Sequence, residues 1–116
     1  MTEQQLRAWS EAYLQKDLET VIQAIADDCV YITTTGPGPG TIYKGKDVVG
    51  RVFAEMFADE DDGSTLSLDG VFVAGARGVT EWSVAVEGKI VMRGCDLYEF
   101  AEGRILRKDV FRKVMA

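Results

Sequence analysis

Leu6, Trp9, Ala12 and Tyr13 recur at helical spacing behind Thr2-Glu3-Gln4-Gln5, which has the form of a capping box, so a first helix is predicted from about Glu3 to Lys16. Asp17 can cap a second helix carrying Leu18, Val21, Ile22 and Ile25 on one face, ended by Asp27-Asp28. Cys29-Val30-Tyr31-Ile32-Thr33 is β-branched and aromatic and reads as a short strand. The Gly36-Pro37-Gly38-Pro39-Gly40 run after it is a loop, either a passive turn or a rim over a pocket. A third helix starts at Asp47, with Val48, Val49, Val52, Phe53, Met56 and Phe57 along one face, and stops at the acidic stretch from Asp59 to Gly63.

The remainder has strand composition in four runs, Leu66 to Val73, Val79 to Val86, Lys89 to Phe100 and Arg104 to Val114, separated by short Gly-containing turns. Connections this short make an antiparallel meander. A twisted sheet needs its concave face covered, and the three early helices are the available cover. The pattern therefore predicts one α+β domain over residues 1–116, with a curved antiparallel sheet of about four to five strands under three N-terminal helices.

Composition narrows the chemistry. The chain has 116 residues, 47% of them apolar, enough to fill one core. A net charge of −6 opposes a grip on phosphate backbones, so no nucleic acid partner is expected. No run approaches the apolar length of a membrane span, and the polar start is unlike a signal peptide, so no membrane partner and a cytoplasmic location are expected. Cys29 and Cys95 sit in apolar strand-like runs and read as reduced core residues. Histidine is absent, which removes the usual triads, Cys-His dyads and most zinc sites. No Walker or dinucleotide-type glycine motif is present, and neither cofactor nor metal is expected.

The last hairpin supplies the candidate chemistry. If Glu102-Gly103 is a two-residue turn, Phe100 pairs with Ile105, Tyr98 with Arg107 and Asp96 with Asp109. One face then carries Asp96, Tyr98, Phe100, Ile105, Arg107, Asp109 and Phe111, and the other carries Cys95, Leu97, Leu106, Lys108 and Val110. The first is the more aromatic and is taken as concave. Two adjacent carboxylates in a partly apolar setting cannot both ionise cheaply, which suits a general acid or base. Two alternatives stand beside this pairing: Arg107 neutralises the carboxylates, or a longer turn slides the register and separates them. A three-residue turn at Glu87 puts Trp82 on the Asp96 face and a two-residue turn puts Glu81 there; an apolar face takes Trp more readily. Trp9, Tyr13, Phe53, Met56 and Phe57 would form the opposing wall, as plain core or as ligand contacts.

The order of these pieces resembles the SnoaL-like polyketide cyclase group of the NTF2-like superfamily, which also contains ketosteroid isomerases and limonene-epoxide hydrolases. The likeness rests on Trp9 and Tyr13, Lys16-Asp17-Leu18-Glu19, Ala26-Asp27-Asp28-Cys29-Val30, Tyr43-Lys44-Gly45, Gly78-Val79-Thr80-Glu81-Trp82, Arg93-Gly94-Cys95-Asp96-Leu97-Tyr98-Glu99-Phe100, Glu102-Gly103-Arg104-Ile105 and Lys108-Asp109-Val110-Phe111. The resemblance implies a cone of curved sheet closed by helices, commonly a homodimer, holding a small apolar molecule. It places Asp96 and Asp109 where cyclases and epoxide hydrolases of this type carry functional acids. Two departures mark the chain. The epoxide hydrolases use an Arg-x-Asp pair, whereas Arg93 and Asp96 are three apart and share a face only if Gly94 is bulged. The isomerases place an Asp base near the end of the first strand, where this chain has Ile32-Thr33-Thr34.

The expectation is a small-molecule-binding protein or cofactor-free enzyme of isomerase or cyclase type. Asp96, with Asp109, acts as general acid or base on a carbonyl-containing, polyketide- or steroid-like substrate, and Trp9, Tyr13, Phe57, Trp82, Tyr98 and Phe111 contact the ligand. The rival expectation is a non-catalytic dimeric binding or interaction domain, and a further one is an epoxide hydrolase.

Overall fold

The computed structural model describes residues 1–59 and 62–114, with the backbone alone for Val114. Helix α1 spans Glu3–Leu14, and its capping box forms as the sequence predicts, with the Gln5 amide donating to the Thr2 hydroxyl at 3.1 Å and the Thr2 amide donating to the Gln5 side chain at 2.9 Å. Helix α2 is short, Leu18–Gln23, capped by Asp17. The Trp9 indole donates to the Val21 carbonyl at 3.1 Å and ties the two helices together. Helix α3 spans Lys46–Ala58; Glu60 and Asp61 of the acidic stretch after it lie outside the described residues.

Among the described residues six strands follow or interleave: β1 Ile25–Ile32, β2 Ile42–Lys44, β3 Ser64–Ala74, β4 Arg77–Val86, β5 Lys89–Ala101 and β6 Arg104–Val114. They form one sheet in the order β2-β1-β6-β5-β4-β3, parallel between β1 and β6 and antiparallel elsewhere. The predicted four-run meander is β3 to β6. Two strand features differ from the sequence reading. Ile25 opens β1 instead of closing α2, because pairing with Ile105 and a hydrogen bond from the Ile105 amide to the Ala24 carbonyl (2.9 Å) override helical periodicity. Strand β2 is three residues long, too short to show alternation, and exists through its pairing with β1. The Gly-Pro run between β1 and β2 folds as their connection, with the Thr41 amide on the Thr35 carbonyl at 2.8 Å.

Three bulges curve the meander. The register skips Asp69 on β3, Val91 on β5 and Leu106 on β6. Each extra residue bends and coils its strand. The two tight turns Glu87-Gly88 and Glu102-Gly103 have positive φ at both positions, the geometry that matches strand twist in a two-residue hairpin. Leu6, Val21, Phe53, Tyr98 and Ile105 are buried between helices and concave face.

Candidate functional site

The inward positions of the last three strands converge on one carboxylate. Thr80 on β4 pairs with Asp96 on β5, and Asp96 pairs with Val110 on β6. Tyr98, two residues along β5, pairs with Lys108. Asp96 Oδ1 accepts from Trp82 Nε1 at 3.0 Å, while Oδ2 accepts from the Tyr98 hydroxyl at 3.0 Å and from Lys108 Nζ at 2.8 Å. Thr80 Oγ1 donates to the Tyr98 oxygen at 3.3 Å and continues the chain. Asp96 and Lys108 are 6% and 5% exposed, so this ion pair is almost wholly withdrawn from solvent. The ammonium also lies 4.7 Å from the centre of the Tyr13 ring and 5.3 Å from that of Tyr31, where the ring faces stabilise positive charge.

These groups form the polar floor of a cavity of about 180 Å³. Its helix wall is Trp9, Ser10, Tyr13 and Leu14 of α1 with Met56 of α3. Leu66 and Leu68 of β3, Tyr31 of β1 and Val110 of β6 complete it. Burial, then the Asp96 charge, pushes the Tyr13 and Tyr98 phenols well up from the ordinary tyrosine range; burial, then neighbouring Tyr13, does the same to Tyr31. All three stay protonated donors at neutral pH.

Of the residues expected to act together, Asp96, Trp9, Tyr13, Trp82 and Tyr98 stand around this cavity. Trp82 reaches it by an unexpected route. The Glu87-Gly88 turn has two residues, and the bulge at Val91 shifts the register so that Trp82 pairs with Gly94.

Asp109, Phe111 and Phe57 are corrections. The bulge at Leu106 slides β6 by one residue, so Asp109 pairs with Leu97 and points away from Asp96, and the expected carboxylate pair does not form. Arg107 rotates outward with it and sits 3.4 Å from Asp109. Phe111 also faces outward, 49% exposed. Phe57 packs behind the cavity against the rings of Tyr13 and Phe53, at 5.1 and 6.3 Å between centres. The same slip brings in Lys108, assigned from sequence to the opposite face. A signal for it was present in the charges: this register matches Asp96 with a cation, whereas the unbulged one buries two carboxylates together.

The Arg-x-Asp arrangement is not reproduced. Gly94 lies in regular pairing with Trp82 and Arg112, so Arg93 is exposed on the face opposite Asp96. Among the described residues no His, Cys, Asp or Glu cluster is arranged to hold a metal ion, and no helix is long and apolar enough to cross a membrane. Both cysteines are free, and burial, together with Asp28, pushes the Cys29 thiol up to about 11.

Three helices laid over one face of a curved sheet, with a cavity between them, define the NTF2-like class of α+β fold. The SnoaL-like domain profile matches residues 6–108, and the chain belongs to that family. An NTF2-like protein of unknown function from Mesorhizobium loti is 22% identical, with a TM-score of 0.79 over 95% of this chain and 88% of its own. A steroid delta-isomerase from Pseudomonas aeruginosa is 21% identical, with a TM-score of 0.72 over 96% of this chain and 78% of its own. An LEH-like epoxide hydrolase from M. tuberculosis is 20% identical, with a TM-score of 0.70 over 96% of this chain and 81% of its own. No curated protein matches the sequence. These likenesses establish the fold that the chain shares with isomerases and epoxide hydrolases.

Proposed function

We propose that the protein is a cofactor-free enzyme of isomerase or cyclase type, which binds a small, mostly apolar carbonyl compound in the cavity and moves a proton on it with Asp96. The observation that carries this reading is the buried Asp96–Lys108 pair, 2.8 Å apart, at the floor of a cavity otherwise walled mainly by apolar and aromatic side chains. Asp96 Oδ1 has one donor, Trp82, and keeps acceptor capacity for a proton. When it takes a proton from the carbon beside a carbonyl, the C–H bond breaks and its electron pair passes to the carbonyl oxygen as an enolate. The negative charge then leaves the carboxylate and arrives a few ångströms away. Lys108 Nζ, 2.8 Å from Asp96 Oδ2 on the same cavity floor, offsets the charge at either location, so little has to be solvated anew among mainly apolar walls. Return of the proton to a different carbon isomerises the compound; attack of the enolate on a second carbonyl breaks that C=O π bond and closes a ring, and the new alkoxide takes the proton back from Asp96.

Deuterium exchange into the position beside the carbonyl of a bound cyclic enone, followed by NMR, tests this. Asp96→Asn is expected to slow exchange by about 100-fold or more. Asp96→Glu, which keeps the charge but moves it by one methylene, serves if the Asn variant does not fold, and should also lose exchange. Exchange indifferent to both changes, or absent with every carbonyl compound that binds, would overturn the reading.

A second reading, a non-catalytic binding or interaction domain, draws on the three donors that hold Asp96 like a structural ion pair. It differs in giving ligand binding without exchange. Under either reading we propose that a second copy of this chain pairs with the outer sheet face, where Phe72 and Phe111 are 56% and 49% exposed beside Val79 and Leu97. The free cysteines favour a reducing, cytoplasmic setting.

A further inference from the structure

The cavity measures about 180 Å³. An apolar protein cavity of about 150 Å³ holds one benzene molecule, so this one accommodates a single six-membered ring with about two to four further non-hydrogen atoms. The lining residues with the greatest exposure, Met56 and Leu66, mark its mouth. Rings beyond the first would project past them into water, where they bury little apolar surface and add little affinity.

The helix wall adds a second polar point. Ser10 lies on α1, across the cavity from the sheet that carries Asp96, and is 6% exposed. Among the described residues its Oγ finds no hydrogen-bond partner, although a helical serine commonly turns back to a carbonyl in the preceding turn. A buried hydroxyl left without a partner costs free energy that a partner would return. Ser10 lines the cavity together with its helix neighbours Trp9, Tyr13 and Leu14, so a ligand there lies against the residue that carries this hydroxyl.

We propose that the cavity takes a compound built on one six-membered ring, with its carbonyl at Asp96 and Lys108 and a second oxygen at Ser10. This rests on the proton-transfer reading and narrows it, setting aside fused-ring steroid- and polyketide-sized substrates. Ser10 is a specificity-determining contact on the wall opposite the reacting carbonyl.

The test is calorimetric titration of the full chain with cyclohex-2-enone, 4-hydroxycyclohex-2-enone, a fused bicyclic enone and a four-ring steroid enone. The hydroxylated ring should bind about fivefold or more tightly than its parent, and Ser10→Ala should bring that ratio to about one. The bicyclic and steroid enones should bind no more tightly than the single ring, and Leu68→Ala, which enlarges the wall, should favour the bicyclic. Affinity rising with each added ring, or a hydroxyl preference that survives Ser10→Ala, overturns the inference. If a steroid binds tightly and Asp96→Asn still abolishes its deuterium exchange, the proton-transfer reading stands and this narrowing falls. If no carbonyl compound of any size binds, both fall.

Discussion

The Trp82 indole lies across the backbone of Gly94, its partner on the next strand, so closely that a β-carbon at residue 94 would overlap Cζ2 of the indole and stand 2.6 Å from the Phe111 carbonyl oxygen. That approach lets Trp82 Nε1 reach Asp96 at 3.0 Å. Gly94→Ala must displace both the indole and the strand backbone at Phe111. It is expected to cost about 2–3 kcal/mol of stability, measured by urea unfolding, and to shift the Trp82 fluorescence.

Asp96 and Lys108 depend on each other. Removing either alone leaves a nearly buried charge without its partner, at a cost of roughly 3–5 kcal/mol. Lys108→Met and Asp96→Asn should therefore each destabilise strongly, while the double variant should lose much less than the sum. Additive losses in a double-mutant cycle would show that the pair is not coupled.

Asp109 provides the opposite expectation. Its partner Arg107 is well exposed, and exposed ion pairs contribute about 1 kcal/mol or less. Asp109→Asn should change the unfolding midpoint little and leave deuterium exchange at the wild-type rate, in contrast with Asp96→Asn.

Alkali should weaken the fold. The folded pKa values of Tyr13, Tyr31, Tyr98 and Cys29 are all raised, chiefly by burial. Between the unfolded and folded values the folded chain holds more protons than the unfolded one, so stability falls as pH rises. Their contribution is fully present below about pH 8.5, the free-cysteine value, and is lost progressively above it, first through Cys29 and then past pH 10 through the phenols. Chemical denaturation at pH 7, 9, 10 and 11 should follow that order, and Cys29 should resist thiol reagents at pH 8.

Ser10→Ala in the unliganded protein removes an unpartnered hydroxyl and inserts a better helix former. It is expected to raise stability by about 0.5–1 kcal/mol, read from the thermal midpoint, even as it removes the proposed ligand contact.

Helix α1, helix α3 and the four-strand meander were legible because each repeats a local period over ten or more residues, long enough for hydrophobic spacing to show, and the capping box through its four-residue signature. The same alternation placed Asp96 and Tyr98 on one face. Strand β2 and the start of β1 were not legible, since three residues carry no period and Ile25 fits a helix as well as a strand until Ile105 pairs with it. The partner of Asp96 lay further out of reach. Counting outward from Glu102-Gly103 is correct as far as Phe100 and Ile105, and fails where Leu106 enters as an extra residue. Side chains alternate with a period of two, so that one insertion exchanges Arg107, Asp109 and Phe111 for Lys108 and Val110 on the concave face. Local pattern thus determined the longer elements and the carboxylate. Which charge faces it was decided by the bulge at Leu106, a feature of how β6 pairs with β5 that neither strand's own pattern contains.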